Sequence, residues 1–241
     1  MKLFKHALAA SAISMLATSA WSASYSFNLA ADGDPIDPGT ETANSFSISD
    51  GDMTGSFTGR YIDNPGYDGM MLNSGNINDA YQLRRWSLGA GIYNVSTNDQ
   101  HTVDGKGYHD FVEMAFTFMG SAVDVTLTSL SFGWFGGGYS GPINSSFELI
   151  VDSTGNATID LGDMKEYAGE VSNSAGNGPV SVSGFGLSAN DVFGVMAGEN
   201  GSWKLNAVTV EYTPDVPEIP LPAGIWLMLG GLGGLAAVRR R

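Results

Sequence analysis

The sequence predicts an all-β protein whose body is a single β-sandwich domain of the jelly-roll type, spanning residues 23–212. Apolar and polar residues alternate with a period of two in many short segments, and no long segment of residues 23–218 has the period of a helix. Clusters of glycine, asparagine and aspartate separate these segments, as is typical of β-sandwiches with short loops.

The alternation places the expected strands in chain order. They cover residues 24–29, 45–48, 55–62, 83–88, 111–118, 123–134, 146–151, 157–161, 180–185, 192–196 and 202–212. Helix is expected only as a single turn near Ala80 or Met164. In the last strand Ala207 interrupts the alternation, and a β-bulge there would restore it.

The composition excludes several classes of function. All 25 acidic residues lie within residues 23–218 together with only 6 basic residues, so this body carries a net charge of −19. Such a surface repels phosphate backbones, and nucleic-acid binding is therefore not expected. The chain has no cysteine, which excludes disulfides, thiolate metal sites and a cysteine nucleophile.

Residues 1–22 have the features of an export signal peptide. Lys2 and Lys5 precede an uncharged, mostly apolar stretch at residues 7–20. Ala20 and Ser22 supply the small residues that a signal peptidase requires, so we expect cleavage after Ser22. The alternative is an uncleaved anchor helix, but the stretch is shorter than the roughly 20 apolar residues that span a membrane.

The other end of the chain predicts a Pro-rich linker at residues 213–222, then a transmembrane helix and basic tail at residues 223–241. The uncharged residues 223–238 would extend about 24 Å as a helix, which is less than a hydrocarbon core of about 30 Å. Because terminal arginines tend to stay on the cytoplasmic side, the body is expected outside the inner membrane, with the uncleaved form anchored in it.

The residues of this tail form a sorting motif. They are Ile219, Pro220, Leu221, Pro222 and Ala223, followed at the terminus by Arg239, Arg240 and Arg241. The tail resembles the PEP-CTERM family of sorting signals, in particular its VPLPA-type branch. The resemblance implies recognition by an exosortase, a membrane-embedded cysteine protease-transpeptidase that cuts near the prolines and passes the body to the cell surface or extracellular matrix. It also implies a link to exopolysaccharide and biofilm assembly.

This tail departs from the family pattern in two places. Ile219 stands where valine is usual, and Pro217-Glu218-Ile219 contains no strict Pro-Glu-Pro. The departures leave the position of the cut open.

Residues 89–118 form the most distinctive segment of the body. It is similar to a run of the form G-x-G-V, D-x-H-T-V-D-N and D-F in exosortase-dependent surface proteins, with Gly105 where that run usually has asparagine. This resemblance implies a β-sandwich surface domain of unknown biochemical role.

Acidic residues and histidines concentrate in the same segment. They are Asp99, His101, Asp104, His109 and Asp110. One interpretation is a site for Ca²⁺ or for a transition metal, and the other is that these side chains cap turns. Asp32-Gly33-Asp34 and Asp50-Gly51-Asp52 can likewise be interpreted either as Ca²⁺ ligands or as turns. Neither completes an EF-hand. Turn capping is the interpretation that we favour, and we expect no cofactor.

The sequence favours binding over catalysis. No G-x-S-x-G elbow is present, and a pair of carboxylates carries little information among 25 acidic residues. Trp134, Phe135 and Tyr139 flank the glycine run 136–138 and are candidates for stacking on sugar rings. The alternative is that Phe132 and Trp134 share one strand face and belong to the core.

We therefore expect a noncatalytic, secreted surface or matrix protein that acts in adhesion or exopolysaccharide assembly. The alternative function is a carbohydrate-binding module, and a secreted hydrolase has no supporting constellation. The expected partners are signal peptidase, an exosortase, the inner membrane transiently and, in the alternative, exopolysaccharide.

Overall fold

The computed structural model describes residues 22–30, 44–80, 82–93, 102–105, 108–135, 143–173, 180–189, 192–198 and 201–214. These residues contain fifteen β-strands and no helix, which confirms the predicted all-β class. Ser22–Tyr212 form one compact unit. None of the described residues belongs to a helix that could cross a membrane. The predicted signal peptide lies outside the described residues except for Ser22, as do residues 215–241.

The strands occupy most of the described chain. They are β1 (Ala23–Asn28), β2 (Ser45–Asp50), β3 (Met53–Asp68), β4 (Met71–Asp79), β5 (Gln82–Trp86), β6 (Gly89–Tyr93), β7 (Val103–Asp104), β8 (Tyr108–Phe118), β9 (Ser121–Ala122), β10 (Val125–Phe135), β11 (Ile143–Val151), β12 (Met164–Asn173), β13 (Val180–Ala189), β14 (Val192–Ala197) and β15 (Ser202–Tyr212).

Seven strands form sheet A, in the order β13–β10–β15–β6–β5, with β1 and β7 also paired to β15. The antiparallel register of β1 and β15 joins Ala23 to Tyr212 and Asn28 to Ala207. Between β10 and β15 the partner of Ser131 is Ala207, whereas the partner of the next residue, Phe132, is Leu205. The skipped residue in β15 is the bulge predicted beside Ala207.

Eight strands form sheet B, in the order β2–β3–β4–β12–β11–β14–β8–β9, and β3 also pairs with β8. The pairings therefore return to β3 around a circuit of six strands. Its weakest step is β4 to β12, where the only register pair is Met71 with Met164. Flanking backbone bonds reinforce that step, from Leu72 N to Asp163 O at 2.8 Å and from Lys165 N to Met70 O at 2.7 Å.

Side chains from both sheets share the main hydrophobic core. Phe27 of sheet A contacts Phe57 of sheet B with ring centroids 6.0 Å apart. Phe132 of sheet A contacts Phe147 of sheet B at 4.8 Å, and Trp203 packs against the same ring of Phe132. All five side chains are fully buried. Burying rings between two sheets is the arrangement expected of a sandwich core.

A second, smaller core lies on the opposite side of sheet B. Its buried members are Ile62, Leu72, Phe111, Ile150, Ile159, Val192 and Met196. Neighbouring residues of one strand enter different cores, as Phe111 enters the second core and Val112 the first. All six residues of β14 are consequently buried. The β3–β4 hairpin and residues 152–163 cover this second core.

The structure corrects three expectations of secondary structure. Residues 157–161, predicted as a strand, belong to an irregular loop at residues 152–163, which we call the 152–163 loop. Met164 begins strand β12 rather than a helical turn, and Ala80 lies in the link between β4 and β5. Strands β4, β6, β7, β9 and β12 lie outside the predicted strand ranges.

Candidate functional site

The described surface has an open concavity of about 510 Å³, which we call the Tyr61 pocket. Strands β3, β4 and β8 and the 152–163 loop supply its lining. The lining residues are Tyr61, Asp63, Gly75, Asn76, Ile77, Asn78, Tyr108, Asp160 and Leu161. The volume falls within the range of small-molecule sites, which runs from about 300 to 1,000 Å³.

Strand register brings the polar and aromatic side chains of the pocket together. Tyr61 lies opposite Asn78, and Asp63 lies opposite both Asn76 and Tyr108. Residues directly opposite each other on antiparallel strands share a face. The rings of Tyr61 and Tyr108 consequently meet edge to face, with centroids 5.2 Å apart and planes inclined at 77°.

The 152–163 loop forms the remaining wall, and Asp152 shapes its first half. One carboxylate oxygen of Asp152, Oδ1, accepts hydrogen bonds from the backbone N–H groups of Thr154 and Gly155 at 3.0 and 2.7 Å. The other, Oδ2, accepts one from the N–H of Ala157 at 2.7 Å. These bonds satisfy backbone groups that a strand would satisfy in a ladder, which is why the predicted strand does not form.

Asp163 closes the other half of the loop. Its Oδ1 accepts a hydrogen bond from Ser153 N at 2.9 Å, and its Oδ2 accepts one from Asp160 N at 2.8 Å. The side chain is fully buried. Burial raises the pKa of Asp163 above its usual 3.8, although the two backbone hydrogen bonds oppose the rise. The loop is thus held at both ends by carboxylates.

An ion pair fastens the middle of the loop to sheet B. Glu113 of β8 receives hydrogen bonds at its Oε2 from Arg60 Nη1 at 2.7 Å and from the backbone N–H of Ile159 at 2.9 Å. Arg60 Nη1 also donates to Thr158 Oγ1 at 2.6 Å. The adjoining side chain of Ile159 is buried in the second core. Asp160 and Leu161 are thereby fixed at the pocket wall.

Two amide side chains at the pocket are available to a ligand. Asp160 is less accessible, because its Oδ1 is buried without a hydrogen-bond partner among the described residues and its Oδ2 accepts from Asn156 Nδ2 at 2.5 Å. The side chains of Asn76 and Asn78 are exposed. Amide and carboxylate groups beside tyrosine rings can hydrogen-bond hydroxyl groups and stack on an apolar ring face. This set suits a polyhydroxylated ligand.

The predicted aromatic site is only partly described. Trp134 is half-buried, while the side chain of Phe135 and all of Tyr139 lie outside the described residues. Phe132 enters the core as one interpretation expected, but Trp134 does not follow it there. Trp134 instead faces Lys204, whose Nζ lies 5.6 Å from the Trp134 ring centroid and 4.3 Å from that of Trp86. We call this group the Lys204 site.

The predicted cluster of acids and histidines is spread over two strands. Asp99 and His101 lie outside the described residues, whereas Asp104 and Asp110 are buried. His109 makes a 3.0 Å hydrogen bond between its Nδ1 and the carbonyl oxygen of Ala197. No group of three or more histidine, aspartate or glutamate side chains in the described part of the chain is placed to hold a metal ion.

Of the other predicted sites, the structure describes only the acidic turn that contains Asp50. Asp50 Oδ2 accepts a hydrogen bond from Ser26 N at 2.9 Å and so links β2 to β1, while Asp32 and Asp34 are outside the described residues. The sorting motif at residues 219–223 and Arg239–Arg241 is also outside them. Nothing in the sequence marked Tyr61 or Tyr108, because only the β3–β8 register joins them.

Comparisons with known proteins add no relative. No family model, no curated protein and no solved structure matches the chain.

Proposed function

We propose that this chain is an exported, noncatalytic surface or matrix protein that binds polysaccharide through the Tyr61 pocket. The observation that carries this proposal is the edge-to-face pair of Tyr61 and Tyr108 beside exposed amides and Asp160. An aromatic ring stacks on the apolar face of a sugar, and the amides and carboxylates bind its hydroxyl groups. The body is proposed to be a jelly-roll-like β-sandwich, an architecture that often serves lectin domains.

The chemistry of the pocket favours neutral sugars. Asp63 and Asp160 would repel a ligand carboxylate, and the partly exposed carboxylate of Asp63 can accept hydrogen bonds from hydroxyl groups. The pocket is open, as Leu161 at its rim is 47% exposed, so an internal unit of a long polymer has access to it. A matrix polysaccharide with neutral units fits these properties better than a small free metabolite does.

Affinity electrophoresis in gels containing the exopolysaccharide of the producing cells tests this binding. We expect retardation of the purified protein, and about tenfold weaker binding after Tyr61→Ala or Tyr108→Ala, from the energy of an aromatic contact. Tyr61→Phe keeps the ring and is expected to bind within about threefold of the wild type. Tyr25→Ala, which changes a tyrosine outside the pocket, is the control. Equal retardation of the wild type and both alanine variants would overturn the proposal.

Delivery to the surface is the second part of the proposal, and it is supported by the tail motif rather than by the body. Intact-mass analysis of the protein from cells with and without the exosortase tests it. We expect the mature chain to lack residues 1–22 and the terminal arginines, and to keep those arginines in cells without the enzyme. A chain that retains Arg239–Arg241 and stays in the inner membrane of wild-type cells would contradict it.

A further inference from the structure

Two tryptophans and a lysine from three strands meet at the Lys204 site. Lys204 lies on β15, Trp134 on β10 and Trp86 on β5. Lys204 Nζ is close to both indole rings, at 4.3 Å from the Trp86 centroid and 5.6 Å from the Trp134 centroid. All three side chains keep partial access to solvent. A cation held against aromatic faces is a stable arrangement, and no described carboxylate forms an ion pair with Lys204.

The backbone of Trp134 is what directs its ring towards Lys204. Gly133 pairs with Lys204 and Phe135 pairs with Trp203, so Trp134 is the extra residue of a bulge. Its φ of +35° lies in a region that residues other than glycine rarely adopt. Bulges re-aim side chains, and strained residues of this kind occur often at ligand sites. Trp134 thus leaves the face that Phe132 occupies in the core.

The charge around this site contrasts with the charge of the rest of the body. Arg60 and Lys165 form ion pairs with carboxylates on the side of sheet B. In the described part of the chain, Lys204 and Arg84 form none, and Arg84 instead stacks on Tyr93 at 5.5 Å. Arg84 is two residues from Trp86 and shares its face of β5. Loss of hydration lowers the pKa of Lys204 from 10.5.

We infer that the Lys204 site binds an acidic sugar unit, with the sugar ring stacked on Trp134 and its carboxylate paired with Lys204. A sugar acid combines the two features that this site can recognise, an apolar ring face and a single negative charge. The site is distinct from the Tyr61 pocket, whose carboxylates disfavour such a ligand. Its ligand preference therefore does not depend on the function proposed for that pocket.

Two oligosaccharides that differ only in charge test the inference. The probes are tetragalacturonate and its carboxyl-reduced form, titrated into the purified full-length protein at low and high salt with tryptophan fluorescence as the readout. We expect the acidic probe to bind at least tenfold more tightly than the reduced probe at low salt, and to lose this preference at high salt. Equal binding of the two probes would overturn the inference.

Substitutions distinguish the contribution of Lys204 to binding from that of the tryptophan ring. Lys204→Met is expected to abolish the preference for the acidic probe, and Lys204→Arg to retain affinity within about threefold, because the charge remains. Trp134→Gly is expected to weaken binding of the acidic probe at least tenfold while leaving the melting temperature nearly unchanged, since glycine adopts a positive φ without strain. Tyr61→Ala leaves binding of the acidic probe unaltered.

A measurement on the wild-type chain covers the case in which a variant does not fold. After reductive methylation with ¹³C-formaldehyde, the Lys204 dimethylamine signal is expected to shift on addition of tetragalacturonate and not on addition of the reduced probe. The chain has few lysines, so the signal can be assigned. An unmoved Lys204 signal at saturating probe, or a Lys204→Met variant that binds like the wild type, would show that the lysine and rings only support the fold.

Discussion

Arg60 Nη1 of β3 lies 2.7 Å from Glu113 Oε2 of β8, and the two side chains are only 17% and 15% exposed. The same Glu113 oxygen accepts hydrogen bonds from Thr158 Oγ1 and Ile159 N of the 152–163 loop. One partly buried ion pair therefore joins two strands to the loop that covers the second core and forms a wall of the Tyr61 pocket.

Breaking this pair should destabilise the protein. Arg60→Met leaves the Glu113 carboxylate without its cation, and we expect the free energy of unfolding to fall by about 2–4 kcal/mol, somewhat less than for a fully buried pair. Lys165→Met is the matched control, because the Lys165–Glu148 pair has similar exposure, is longer at 3.4 Å and joins the adjacent strands β11 and β12 rather than the loop, so a loss of only about 1 kcal/mol is expected. Urea denaturation measures both. Equal losses would contradict the prediction.

The Asp152 carboxylate should control the loop and hence the pocket. Asp152→Ala removes the acceptors of three backbone N–H groups, and we expect a loss of about 2–4 kcal/mol in unfolding free energy. Because Asp160 and Leu161 lie on the same loop, affinity for neutral polysaccharide should fall as well. Asp124→Ala, which changes an exposed aspartate in the turn between β9 and β10, is the control. Urea denaturation and affinity electrophoresis are the measurements, and an unaltered Asp152→Ala variant would refute the prediction.

Gly105 should not tolerate an asparagine side chain. A Cβ atom at Gly105 would lie 1.9 Å from the carbonyl oxygen of Gly198, so backbone would have to move. We expect Gly105→Asn to lower the free energy of unfolding by about 3 kcal/mol. Gly51→Asn is the control, because Gly51 has a φ of +59°, which asparagine tolerates, and no neighbouring atom within 4 Å. A thermal scan in which the two variants melt together would disprove the prediction.

Asp163 should make the stability of the loop depend on pH. Burial raises the pKa of Asp163 above its usual 3.8, so the folded state holds the proton more tightly than the unfolded state does. The stabilisation from this proton is complete below pH 3.8 and is lost as the pH rises through the folded-state pKa.

The comparison of wild type with Asp163→Asn isolates that contribution. We expect the stability advantage of the wild type over Asp163→Asn to be larger near pH 3.5 than near pH 7, as measured by urea denaturation across this range. A ¹³C titration of the Asp163 carboxyl provides a direct check. A difference in stability that stays constant with pH would exclude the effect.

The sequence predicts the strands of the main core better than those around the pocket. The alternation in β1, β2, β8, β10 and β15 matches the structure, because one face of each strand packs between the sheets. Strand β4 is mostly polar. Its apolar residues Leu72 and Ile77 are five positions apart, which does not fit a period of two, so the sequence does not indicate a strand here. Strand β12 begins with Met, Lys and Glu, which favour helix, and pairing with β11 overrides that preference.

The second core explains one agreement and one difference. Strand β14 is a continuous run of apolar residues, which is the pattern of a strand buried on both faces. The wrongly predicted strand at residues 157–161 has an apolar residue, Ile159, that packs into this core from a loop. An apolar residue in the sequence indicates that a side chain is buried. It does not show whether that side chain belongs to a strand or to an irregular loop.

The candidate sites depend on contacts that are distant in sequence. Tyr61 and Tyr108 become neighbours only through the register of β3 and β8, and Lys204 meets Trp86 and Trp134 only through the order of strands in sheet A. Trp134 is conspicuous in the sequence as an aromatic residue beside a glycine run. The bulge that turns its ring away from the core leaves no such signal in the sequence.

The pairing of β1 with β15 has a consequence for the timing of folding. Among the described strands, the first strand of the body forms its ladder with the last, with Ala23 opposite Tyr212. Phe27 of β1 is also a central ring of the main core. A chain emerging from a translocation channel with its amino end first would therefore lack the partner of β1 until residues 207–212 had emerged. Contacts of such sequence separation form slowly, so the chain would stay extended enough for transport before it acquires its final packing.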